Sequence, residues 1–88
     1  MPEMNKEKKK DKVFTIIVNA QEKTVDHKRL TFEEIVTLAF GSYQPSETII
    51  YTVLYTRGDY GKEGSLVVGE WINVKDGMEF NVDKNNRS

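Results

Sequence analysis

The sequence predicts an α+β domain in which one amphipathic helix covers a mixed sheet of four to five strands. Three observations predict it: paired extended runs near the start, a helix-start signature at residues 30–35, and further extended runs from residue 49. A lone amphipathic helix must bury its apolar stripe against something, and a sheet face is the available partner.

The first extended run is Val13, Phe14, Thr15, Ile16, Ile17 and Val18, rich in β-branched and aromatic side chains. Asn19, Ala20 and Gln21 are turn-like, and residues 22–27 form a second extended run, so the two read as a β-hairpin. Phe14, Ile16 and Val18 share one face, which Val25 joins from the second strand. Thr31, Phe32, Glu33 and Glu34 spell a capping box, with Leu30 and Ile35 placed to close a hydrophobic staple. Apolar residues at Phe32, Ile35, Val36, Leu38 and Ala39 continue at helical period, and Gly41 supplies a stop. The helix is expected over 31–40.

Residues 42–47 read as a loop and 49–56 as a long strand, apolar on both faces and suited to a central position. Residues 57–64 are polar and glycine-punctuated, a mobile loop. Residues 65–68 and 69–74 supply one or two short strands. Lys75, Asp76 and Gly77 signal a tight turn before the last strand, residues 78–82, where Met78, Phe80 and Val82 point inward. The order hairpin, helix, strands is that of a β-grasp, whose first and last strands lie parallel at the sheet centre. A small α+β roll with another strand order is the alternative.

Both ends fall outside this body. Residues 1–12 hold five lysines, three acids and only Met1, Pro2 and Met4 as apolar groups, too few to offset chain entropy by burial. They are expected to be a disordered, lysine-rich tail, with residues 13–82 as the domain and 83–88 as a flexible C-terminal tail. A folded unit of this size buries only about 60% of the surface of its unfolded chain.

Composition excludes several functions. The net charge of −1 argues against a nucleic-acid binder, and Glu7 and Asp11 break the lysine run, which carries no aromatics. The absence of cysteine removes disulfides, thiolate metal sites and thiol nucleophiles. Apolar runs are far shorter than the roughly 20 residues a membrane helix needs, and no apolar stretch of a secretory leader is present. A cytoplasmic protein without membrane or nucleic-acid partners is expected.

No residue pattern supports catalysis, and no cofactor is implied. His27, the one histidine, stands among charged residues without a metal-ligand set. Gly58, Gly61 and Gly64 lack the following Lys-Ser/Thr and helix of a phosphate loop. Glu33 and Glu34 already have a capping role, no nucleophile elbow is present, and Arg57, Gly58 and Asp59 form an adhesion tripeptide by chance. Trp71 has two readings. It either rests over the core rim or, exposed beside Tyr51 or Tyr55, forms a partner surface.

Residues 16–20, 30–40, 64–70 and 74–82 together resemble bacterial multiubiquitin-domain proteins over nearly the whole body. The resemblance implies a ubiquitin-like fold and a gene neighbourhood of activating-, conjugating- and deconjugating-enzyme homologues. It implies a protein modifier, activated at its C-terminus by an adenylating enzyme, or else a non-conjugated binding module. Modifiers of this kind usually finish in Gly-Gly, a thin chain that enters an adenylating site without side-chain clash. Here Val82 is followed by Asp83, Lys84, Asn85, Asn86, Arg87 and Ser88, which disfavours sulfur transfer. Some proteins of this kind look as though a short basic-Ser end after Asn is trimmed. A processing peptidase removing Arg87 and Ser88 would expose Asn86, next to Asn85, as the reacting end.

Overall fold

The computed structural model describes residues 13–86. The helix starts where its signal stands. Thr31 is extended, its hydroxyl oxygen accepts the Glu34 N–H at 3.2 Å, and Glu34 Oε1 accepts the Thr31 N–H at 2.9 Å. This closed capping box opens α1 (Phe32–Phe40). Gly41 ends the helix at φ 86°, donating to the Thr37 carbonyl at 2.7 Å, in a left-handed conformation that a missing Cβ makes cheap. Thr31→Ala should lower stability by about 1 kcal/mol in urea unfolding, and Thr31→Ser should restore most of the loss. A Thr31→Ala variant as stable as the parent would remove the cap from the account.

Strands β1 (Phe14–Val18) and β2 (Gln21–Val25) pair antiparallel, from Phe14 opposite Val25 to Val18 opposite Gln21. Asn19 and Ala20 turn the chain at φ 53° and 69°, the positive values a two-residue hairpin turn requires. After β3 (Arg29–Thr31) and the helix come β4 (Ile49–Thr56), a 3₁₀ turn (Asp59–Gly61), β5 (Gly64–Leu66), β6 (Trp71–Asn73) and β7 (Glu79–Asn86). The main sheet has the order β2-β1-β7-β4-β5, and β3 with β6 forms a separate two-stranded ribbon. Strands β1 and β7 are parallel neighbours, Ile17 opposite Glu79 and Val18 opposite Phe80. The first and last strands therefore meet at the sheet's middle, as the expected β-grasp topology demands.

The helix lies across one face of this sheet. Phe32, Ile35 and Val36 meet Ile16, Val18, Val53, Phe80 and Val82 in one core, closed below by Leu30, Val74 and Met78. The capping-box flanks Leu30 and Ile35 are both buried. Gly64 stands opposite Tyr55, whose ring crosses it, and a Cβ there would lie 2.9 Å from the tyrosine oxygen.

Three expectations change. The last strand does not stop at Val82: residues 83–86, expected to be loose, continue β7 opposite 52–49 of β4. A ladder is made by main-chain groups, so polar side chains do not end it. Strand β3 was not anticipated, and β6 pairs with it rather than joining the main sheet. Strand β4 is central, between β7 and β5, yet among the described residues nothing covers its far face, which leaves Ile50 and Leu54 exposed. The expected tail at residues 1–12, like Arg87 and Ser88, lies outside the described residues.

Candidate functional site

The working end suggested by the sequence is built on β7. Its neighbour β1 contributes the Ile17 N–H to the Met78 carbonyl and the Asn19 N–H to the Phe80 carbonyl, both at 2.9 Å. Asn19 extends this pairing by one step with its side chain. Nδ2 donates to the Val82 carbonyl at 3.1 Å, and Oδ1 accepts the Val82 N–H at 2.8 Å. The hairpin turn thus ends β1 while its asparagine fixes Val82. Beyond that point, among the described residues, only β4 accompanies β7, with Asn85 opposite Ile50 and Asn86 opposite Ile49. Apolar burial also stops at Val82, since the side chains of residues 83–86 are all exposed.

Trp71 belongs to a different surface. Leu30 and Ile72 face each other across the β3–β6 ribbon and turn inward, which sends Trp71 outward and leaves it about half exposed (49%). The Arg29 guanidinium lies 4.0 Å from its ring centroid, a cation–π contact. Trp71, Tyr55, Gly58, Asp59, Lys62 and Met78 share a cleft of about 230 Å³. Tyr51 is not there. It packs against Tyr43 and Phe40 with ring centroids 5.2 and 6.1 Å apart, and its hydroxyl contacts the Gln44 main chain. Trp71 and Tyr55 are thus brought together, while Tyr51 ties the loop after the helix to the sheet.

Sequence reasoning missed the sheet's far face as a distinct surface. Ile50 and Leu54 alternate on β4 and point away from the helix, both more than a third exposed. Their period of two was the available signal, but a doubly covered central strand reads the same way.

His27 sits between two carboxylates. Asp26 Oδ1 is 2.9 Å from Nδ1 and Glu34 Oε2 is 3.3 Å from Nε2. The hydrogen bond with Asp26 raises the imidazole above its ordinary value, partial burial opposes this, and Glu34 adds to the rise. The Asp26 carboxyl is held low chiefly by His27, and the Glu34 carboxyl chiefly by the Thr31 main-chain N–H. A raised folded value means the contribution is fully present below about pH 6.5, the unfolded imidazole's value, and lost as pH rises through the folded one. The carboxylates act oppositely: their share is present above the ordinary acid range and lost as pH falls through the lowered values. His27→Gln should therefore lower Tm most near pH 6 and hardly at all above pH 8.5, by small amounts because these groups are exposed. An equal deficit at both pH values would contradict this. Among the described residues no group of three His, Cys, Asp or Glu side chains is placed to hold a metal ion.

A sheet built around its own first and last strands, with one helix across it, defines a ubiquitin-like β-grasp domain. A family model for multiubiquitin matches residues 14–85, and the chain belongs to that family. Searches of curated proteins and of solved structures find no match to it.

Proposed function

We propose that the chain is a ubiquitin-like protein modifier of a bacterial conjugation pathway, working in the cytoplasm through its C-terminus. A peptidase removes Arg87 and Ser88 and leaves Asn86 as the terminal residue. In the active site of an adenylating enzyme the Asn86 carboxylate attacks the α-phosphate of ATP and pyrophosphate leaves. An acceptor nucleophile then attacks the acyl carbon and AMP leaves. A conjugating enzyme passes the chain to a target amine or hydroxyl, giving an isopeptide or ester. The chemistry belongs to those enzymes, and this chain supplies a recognisable surface and a carboxylate.

The observation that carries the reading is family membership over residues 14–85 together with a last strand that leads out of the core into exposed polar residues. The absence of a membrane-length apolar helix among the described residues is compatible with the placement. A chain trimmed to Asn86 would end in Asn85 and Asn86 rather than in a glycine pair, so the adenylating cleft must be wide enough for two amide side chains. The test is co-expression with the neighbouring enzyme genes, followed by mass spectrometry. The expected result is a chain shortened by Arg87 and Ser88 and adducts through Asn86, both abolished when residues 85–88 are deleted. A full-length mass under every condition would overturn the reading.

The exposed Ile50 and Leu54 favour a second reading, a binding module that docks a partner on its sheet and leaves the C-terminus idle. Deleting residues 85–88 would then leave partner capture intact. Leu54→Glu would abolish capture while changing stability by no more than about 0.5 kcal/mol, as for other exposed sites.

A further inference from the structure

The last stretch of β7 into solvent is zipped to β4. Residues 83–86 of β7 face 52–49 of β4 in four consecutive antiparallel pairs. Met78 and Phe80 offer their carbonyls to β1, and Val82 bonds the Asn19 side chain on that same edge. Alternation along the strand then turns the main-chain groups of Asp83 and Asn85 toward β4, bonded to Thr52 and Ile50, and those of Lys84 and Asn86 toward the side β1 has vacated. Two bonded pairs therefore hold a segment with no buried side chain, next to Val82, which is buried and doubly bonded. The ladder is light and its hinge is sharp.

An enzyme that acts on a C-terminus takes it as a single extended strand, and a two-stranded ribbon does not enter the same cleft. We propose that the pairing of 83–86 with 49–52 is a latch, which withholds the chain end until it peels from β4 as far as Val82. Peeling frees four residues, a reach of about 13 Å, and leaves the core intact. This rests on the modifier reading for its purpose, but not for its existence.

Amide exchange and an exopeptidase test it on the full chain. Asp83 and Asn85 should exchange at least about tenfold more slowly than Lys84 and Asn86, the signature of local opening from a ladder. Carboxypeptidase Y, used as a general probe and followed by mass, should remove residues down to Asp83 about tenfold faster from Ile50→Pro, which lacks one ladder N–H. Ile50→Ala keeps that N–H and should digest within about twofold of the parent if main-chain pairing is the latch. Retained protection at Ile17 and Asn19 shows that Ile50→Pro is folded; if it is not, the exchange alternation decides alone. Equal, unprotected exchange at all four amides, or parental digestion of a folded Ile50→Pro, overturns the latch. Neither result touches the modifier reading, which falls only if conjugates fail to form.

Discussion

Phe80→Ala is expected to lower stability by about 3–5 kcal/mol, enough to unfold much of the population at 37 °C. Phe80 is 1% exposed, the largest of the fully buried side chains, and stands in the strand that joins the two halves of the sheet. It lies opposite Tyr55 on one side and Val18 on the other, so its removal opens a cavity against both neighbouring strands. The helix cannot collapse into that space without dragging Ile35 and Val36 from the sheet. Phe80→Leu keeps much of the volume and should cost clearly less. Urea unfolding measures both, and a Phe80→Ala loss below about 1.5 kcal/mol would mean that the core is centred elsewhere.

Asn19→Ala should cost about 1–3 kcal/mol although the residue is at the surface. Two effects combine. The Val82 N–H and carbonyl lose their partners, and a residue with a Cβ but no local hydrogen bond must keep φ 53°. Asn19→Gly separates them, because glycine relaxes the turn without replacing the bonds, and it should recover part of the loss, up to about 1 kcal/mol. Val82 amide exchange should speed up in both variants. If Asn19→Gly matches the parent, the side-chain clasp on Val82 contributes nothing.

Much of the fold was legible because local chemistry and long-range packing agree. Thr31 and Glu34 announce a helix start, and the staple residues Leu30 and Ile35 are buried where that helix meets the sheet. Phe80 and Val82 alternate inward and Ile16 and Val18 do the same, so period placed their faces, while the order of elements pointed to their pairing. Strands β3 and β6 could not be placed in this way, since three residues carry no period and their pairing rests on contacts far apart in the chain, Leu30 with Ile72 among them. The extension of β7 through four polar residues was invisible for a related reason. Side-chain patterns report burial, and this ladder is held by main-chain groups that every residue except proline possesses. Of the candidate surface, Trp71 and Tyr55 meet in one cleft and Tyr51 does not, a separation set by the β3–β6 ribbon rather than by strand alternation on β4.

The parallel junction of β1 with β7 defines the domain and sends the last strand out from its middle. Nuclear magnetic resonance measures it directly. Ile17 and Asn19 amides, bonded at 2.9 Å to the Met78 and Phe80 carbonyls, should be among the slowest to exchange, with proton contacts linking residue 17 to residue 79. Rapid exchange at both amides, or contacts that place β1 beside β4 instead, would contradict it.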